Sequence, residues 1–226
     1  RLASVGTLAA GVAHEINNPL TYVIHHLERI GREVRMLEGG RPLAGLASEA
    51  VSGAQRIRTI VKDLMLFARS EQGVDSAAVD VHEMVEKAIQ LGFNQIRHRA
   101  QLVRDYRDVA LVDGQDGRLS QVFLNLLVNA AQAIELGDAE NNAIRVATRI
   151  DAEMVAVSVS DSGKGIPSAV LPRIFEPFTT TKAVGEGTGL GLWICHSIVQ
   201  AAGGRIDLET EVGVGTTFTV WLPVVG

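Results

Sequence analysis

Apolar residues recur three and four apart through Leu2, Val5, Ala9, Val12 and Ile16, and again through Leu20, Val23, Leu27, Ile30, Val34 and Leu37. That is the spacing of a helical seam. An extra four-residue step separates Ile16 from Leu20, and Pro19 within it lacks a backbone donor, so a bend is expected one turn beyond His14. Gly39-Gly-Arg-Pro42 reads as a turn, and a second seam follows through Ala47, Ala50, Ala54, Ile57, Val61, Leu64 and Ala68. Two such helices make an antiparallel hairpin that leaves much of each stripe uncovered. Two copies forming a four-helix bundle would cover it, so a homodimer is expected. Ser70-Glu-Gln-Gly-Val-Asp-Ser76 breaks the pattern, which gives a first domain over 1–70, a linker over 71–76 and a second domain over 77–226.

Beyond the linker the periodicity becomes mixed. Val81 to Leu91, Leu119 to Leu136 and Leu190 to Ala202 fit helices, the last closed by Gly203-Gly204. Strands are expected at Gln101 to Tyr106, Ala110 to Val112, Ile144 to Ile150, Val155 to Ser160, Arg205 to Glu209 and Thr216 to Leu222. Helices and strands do not alternate as a doubly wound parallel sheet would need. The expectation is therefore an α/β sandwich with helices on one face of a mixed sheet.

Composition narrows the function classes. With 226 residues, 46% hydrophobic, the chain can fill two modest domains. A net charge of −5 and no run of Lys and Arg give no reason to bind nucleic acid. There is no signal peptide and no apolar run near the roughly 20 residues of a membrane helix. Because Arg1 falls inside a patterned helix, the chain reads as a cytoplasmic piece whose upstream part, with any sensor or membrane anchor, is missing. Cys195 is the single cysteine, so no internal disulfide forms, and its neighbours Trp193, Ile194 and Ile198 mark it as a buried apolar residue.

The candidate chemistry lies in a few short segments. His14 has an acid at Glu15 and an amide at Asn18 one turn on, which places a proton acceptor and a hydrogen-bonding group beside an imidazole. His25, His26, His82, His98 and His196 lack that setting and are read as surface or packing residues. Asn125 and Asn129 put two amides one turn apart on an apolar helix, where their oxygens suit either Mg²⁺ and phosphates or neighbouring loops. Asp161 follows the strand Val155 to Ser160 and precedes Gly163 and Gly165; a carboxylate there can accept from an exocyclic amine, although the segment also reads as a turn. Thr179 to Thr188 is polar and glycine-rich, suited to a lid in which Lys182 and backbone N–H groups reach phosphates, and it leads into a helix whose N-terminus favours an anion. Gly213-Val-Gly-Thr216 reads as a hairpin turn or a ligand wall.

Together these segments resemble the sensor histidine kinases of two-component signalling. His14 to Leu20 resembles the phosphoacceptor box, Asn125 to Asn129 the N box, and Asp161 to Pro167 the first glycine box; Phe175-Glu-Pro-Phe178 is similar to the F box, Gly187 to Leu192 to the second glycine box, and Gly213 to Thr216 to the third. The resemblance implies a dimerisation and histidine phosphotransfer hairpin followed by a Bergerat-type sandwich shared with the gyrase, Hsp90 and MutL ATPases. It implies His14 as phosphoacceptor, Glu15 as acid/base partner and Asn18 as the amide used in dephosphorylating the partner. Asn129 would hold Mg²⁺, Asn125 would support the phosphates of ATP, and Asp161 would bind the adenine amine. Gly163, Gly165, Gly187, Gly189 and Gly191 would shape pocket and lid, and Thr216 would support the base. Where some members carry a basic residue this chain has Gln132, and Lys182 or Arg118 are the candidates to compensate. The implied partner is a response-regulator receiver domain carrying the accepting aspartate. Two other readings of the same motifs are a conformational ATPase of the gyrase and Hsp90 kind and a non-catalytic scaffold that binds nucleotide or a receiver domain.

Overall fold

A computed structural model describes residues 3–37, 41–69, 77–182 and 187–225, and within the helices omits the side chains of residues 3–15, 56, 60 and 62–69. The described residues form two compact units, one over 1–73 with 182–190 and the other over 74–181 with 191–226.

The first unit is a pair of helices, α1 (Ala3–Arg35) and α2 (Arg41–Arg69). Leu20 and Ile24 pack against Ala54 and Val51, and a Cβ on Gly31 would stand 3.4 Å from that of Ala47, so the helices run antiparallel. Small residues at Gly31, Ala44, Ala47 and Ala54 let them approach closely. Pro19 lies inside α1. Two details differ from the sequence reading. Arg41 and Pro42 open α2 instead of closing a turn, a place where proline's missing N–H costs nothing. The stripe facing α2 also contains Ile24, whereas Ile16, Val23, Ile30 and Leu37, each seven residues from the last, are exposed. On α2, Leu43, Leu46 and Ile57 are exposed as well. Each helix therefore carries an apolar stripe that its own hairpin does not cover.

The second unit is a two-layer sandwich. Its elements are β1 (Ala77–Val79), α3 (Val81–Ile96), β2 (Gln101–Asp105), β3 (Val112–Gly114), α4 (Asp116–Ala133), β4 (Ala143–Asp151), β5 (Met154–Asp161), α5 (Gly191–Ala201), β6 (Arg205–Glu211) and β7 (Gly215–Pro223). The sheet order is β2-β4-β5-β7-β6, with β2 parallel to β4 and the other pairs antiparallel; β1 and β3 form a separate ribbon. This is the expected mixed sheet. Val155, Val157 and Val159 on β5 alternate inward with Phe218, Val220 and Leu222 on β7, burying one face against Met84, Val85, Phe123, Leu126, Leu127, Ile194 and Val199 of the three helices. Outward-pointing residues make a polar ladder instead: Ser158 bonds Thr219 at 3.0 Å, Thr217 donates to Ser160 at 2.9 Å, and Trp221 donates to Asp207 at 2.6 Å with Arg149 and Arg205 against its ring.

Local chemistry fixes the helix ends. Asp80 caps α3 by accepting from the His82 N–H at 2.8 Å, with Glu83 three positions on. Replacing Asp80 with Ala leaves that donor to water and should cost about 1 kcal/mol in urea unfolding. Gly203, at a φ of 71°, ends α5, and Gly204 donates to Val199 O at 2.9 Å. A Cβ on Gly204 would lie 2.1 Å from Trp221 O, so that turn is pressed onto β7.

Candidate functional site

The inward alternation that buries the valines of β5 continues to its last residue, Asp161, and register pairs Asp161 with Thr216 on β7 and Thr216 with Thr210 on β6. A carboxylate and two hydroxyls therefore extend the apolar, helix-facing side of the sheet at one end. Thr216 is buried, and Asp161 and Thr210 are half-buried. Burial pushes the Asp161 carboxyl up to about 6, against the backbone N–H groups of Gly163 and Thr216, which hold it down. The Gly163 bond is 2.8 Å long.

The glycines around Asp161 are there for lack of room. A Cβ on Gly163 would meet Ala133 O, at the end of α4, at 2.6 Å; one on Gly165, where φ is 69°, would meet Glu211 O at 2.2 Å; one on Gly215, where φ is 147°, would meet Asp161 O at 1.9 Å. The first glycine segment is thus clamped between α4, through Lys164 N to Ala133 O at 3.1 Å, and the β6–β7 turn, through Gly213 N to Lys164 O at 3.0 Å. Gly215→Ala should part β5 from β7 at Asp161 and cost about 2–4 kcal/mol in denaturant unfolding. Gly117→Ala, where nothing described lies within 4 Å, provides the control.

On α4, Leu119, Val122, Phe123, Leu126, Leu127 and Ala130 face the core, while Asn125 and Asn129 lie half-buried one turn apart on another side. Gln121 donates to Asn125 Oδ1 at 2.9 Å, and Gln132 is exposed. Behind this helix Cys195 is fully buried, its thiol directed at Val122 O at 3.7 Å and pushed up to about 12 by burial, the inert apolar role expected of it. Gly191 opens α5 with nothing described within 4 Å of where a Cβ would stand. Phe175 stacks on His196 with ring centroids 4.9 Å apart. Phe178 is exposed and holds a φ of 66°, a left-handed conformation that is strained for a bulky side chain.

Lys182, Gly187 and Gly189 lie in the segment that groups with the helical unit, and residues 183–186 of the expected lid lie outside the described residues. On α1 the helix contains His14 and Glu15, whose side chains are likewise outside the described residues. Asn18 is exposed, whereas its neighbour Asn17 is half-buried and its Oδ1 has no hydrogen-bond partner among the described residues. His25, His26 and His98 are exposed, and His82 bonds Thr148 at 3.0 Å and stacks on Tyr106, in keeping with surface and packing roles. Sequence reasoning covers Gly215 only as part of a turn or ligand wall and does not single out Thr210. The signal for Thr210 was its place in the alternating set Ile206, Leu208, Thr210, where a hydroxyl continues an apolar face.

Residues 114–226 match the family described as histidine kinase-, DNA gyrase B- and HSP90-like ATPases, and residues 4–73 match the His Kinase A (phospho-acceptor) domain. The sensor histidine kinase ZraS of Escherichia coli (strain K12) is 38% identical over 226 residues, covering 99% of this chain and 46% of its own length. Sporulation kinase A of Bacillus subtilis (strain 168) is 31% identical over 225 residues, 99% of this chain and 35% of its own. The chain therefore spans about half, or less, of these curated relatives. Among solved structures, histidine kinase ThkA in complex with the response regulator protein TrrA is 28% identical with a TM-score of 0.67, covering 100% of this chain and 63% of that one. Full-length ShkA in complex with AMPPNP, 24% identical with a TM-score of 0.70 over 96% of this chain and 45% of that one, shares the fold. With a phospho-acceptor domain in front of an ATPase domain, the chain belongs to the histidine kinase-, DNA gyrase B- and HSP90-like ATPase family, on its sensor histidine kinase side.

Proposed function

We propose that this chain is the dimeric core of a protein histidine kinase, which phosphorylates His14 from Mg·ATP and passes the phosphoryl group to an aspartate of a response-regulator receiver domain. Residues 1–70 form the dimerisation and phosphotransfer domain, 71–76 the linker and 77–226 the ATP-binding domain. The observation that carries the nucleotide half is the half-buried Asp161 beside Thr216, walled by glycines whose Cβ atoms would collide with backbone. The glycines let backbone pack directly on backbone and so fix the chain around Asp161, whose carboxylate can accept from the exocyclic amine of a base.

In this reading Asn125 supports the phosphates and Asn129 offers a hard amide oxygen to Mg²⁺. No group of three or more His, Cys, Asp or Glu that could hold a metal occurs among the described residues. That donor set fits an ion held mainly by nucleotide phosphates and water, as Mg²⁺ usually is. When bound, the ion neutralises charge on the transferred phosphoryl group. Gly163, Gly165 and Gly191 shape the pocket, while Lys182, Gly187 and Gly189 belong to a lid that closes over the phosphates. Glu15 takes the His14 proton or holds the ring so that its other nitrogen attacks. Exposed Asn18 is available to orient a water toward the partner's phosphoaspartate, which gives the same surface a phosphatase activity. Pairing through Ile16, Val23, Ile30 and Leu37 supports the homodimer, because this seven-residue stripe is exposed on a single hairpin. No described helix is long and apolar enough to cross a membrane.

A conformational ATPase would need a water-activating acid on the N-box helix. Here the acid nearest in sequence after Asn129 is Glu135, exposed and beyond the end of α4 at Ala133. The test is incubation of the chain with Mg²⁺ and γ-labelled ATP. Label that is acid-labile and alkali-stable supports the kinase, free phosphate without label favours the conformational ATPase, and neither product would sink both.

A further inference from the structure

Thr210 lies where three strands end, and its single hydroxyl touches three groups. Its Oγ1 accepts from the Ile166 N–H at 2.9 Å and lies 3.1 Å from Gly215 O and 3.0 Å from Thr216 Oγ1. A hydroxyl has one proton to give and two lone pairs to receive with. Gly215 O can only accept, so the Thr210 proton goes there. The contact to Thr216 then requires Thr216 to donate, and Ile166 takes the second lone pair. Every group is satisfied by this arrangement; if Thr210 gave its proton to Thr216, two oxygens would face each other at 3.1 Å with no proton between them.

The consequence falls on Thr216, which is 5% exposed and pairs directly with Asp161. With its proton spent on Thr210, the Thr216 hydroxyl has only lone pairs left for a ligand. Asp161 and Thr216 together then present acceptors, which in direct contact match an exocyclic amine and oppose a carbonyl oxygen. The same Thr210 hydroxyl ties the Ile166 end of the first glycine segment to the β6–β7 hairpin.

We propose that Thr210 is a positioning and specificity-determining residue for the nucleobase: it orients the Thr216 hydroxyl as an acceptor beside Asp161 and so favours adenine over guanine. This rests on the reading of Asp161 as the base-binding carboxylate. Adenine offers an amine where guanine offers a carbonyl, and a site with two fixed acceptors rejects the second by leaving like lone pairs opposed.

The experiment measures ADP and GDP affinity by calorimetry for the 226-residue chain and for Thr210→Val, Thr210→Ala, Thr210→Ser, Thr216→Val and Asp161→Asn, with thermal melting to establish folding. Thr210→Val keeps the side chain's shape and should weaken ADP binding by about five- to thirtyfold and lower the ADP:GDP preference by a similar factor. Thr210→Ser should restore both. In a Thr216→Val background, Thr210→Val should change the preference no further, because its effect passes through that hydroxyl. A purely structural role would lower the melting temperature and leave the preference unchanged. An unchanged preference in Thr210→Val, or in Thr210→Ala where the first variant melts below the assay temperature, overturns the proposal. If Asp161→Asn also binds ADP as the wild type does, the base-binding reading falls with it; if Asp161→Asn loses binding, only the role of Thr210 falls.

Discussion

Replacing His14 with Gln should abolish acid-labile, alkali-stable phosphate on the chain after incubation with Mg²⁺ and γ-labelled ATP, while nucleotide affinity stays at the wild-type value. Glutamine is a good helix former, so the long helix Ala3–Arg35 keeps its shape. Its amide nitrogen is conjugated with the carbonyl and is no nucleophile, so the change removes the acceptor and little else. The Asp161 site lies in the other compact unit, within residues 74–181 and 191–226, and should bind ADP unchanged. Label persisting at the wild-type level would remove His14 as the acceptor. Loss of label together with loss of ADP binding would show that the substitution damaged more than an imidazole.

The architecture was legible where periodicity was long. The apolar run Val155 to Ser160 marks β5, which the structure extends by one residue at its C-terminal end to include Asp161, and Gly203-Gly204 marks the end of α5. β1 was missed because Ala77–Val79 is a three-residue strand whose pairing with β3 is tertiary information. Spacing gives one seam through Ile16, Leu20 and Val23, yet of these only Leu20 faces α2, together with Ile24, because each helix of such a hairpin has two apolar stripes and spacing alone cannot say which covers which. In the site, the glycines were legible as turn formers but not as packing residues: that Gly215 has no room for a Cβ depends on Asp161 O lying across the strand pair. Thr210 was hidden for a related reason, since its three contacts lie on Ile166, Gly215 and Thr216 and belong to no single motif. The placement of Lys182 was not legible either, as a polar, glycine-rich stretch specifies no partner.

Asp161→Asn should lower ADP affinity by about a hundredfold or more, yet leave the nucleotide-free chain at least as stable as the wild type at pH 7.5. The Gly163 N–H already donates to Oδ1 at 2.8 Å, so an asparagine will keep its oxygen there and turn its NH₂ toward the base. A donor then faces an amine. The stability follows from the carboxyl's position at about 6, raised mainly by burial. Unfolding returns Asp161 to the ordinary range near 4, so its favourable contribution is fully present below that value and is lost as pH rises through about 6. Above pH 6 the ionised, half-buried carboxylate is a burden that asparagine does not carry. The melting temperature of Asp161→Asn relative to wild type should therefore rise between pH 4 and pH 7 and level off above. Binding runs the other way: wild-type affinity for ADP should be flat above about pH 6 and fall up to tenfold per unit below it, as the acceptor takes up a proton. Pyrophosphate measured in parallel accounts for the phosphates' own titration. An Asp161→Asn variant that binds ADP like wild type would end the base-binding assignment; one that loses binding only because it no longer folds at pH 7.5 would mean that the carboxylate holds the β5–β7 end together and that burial is not the dominant influence on it.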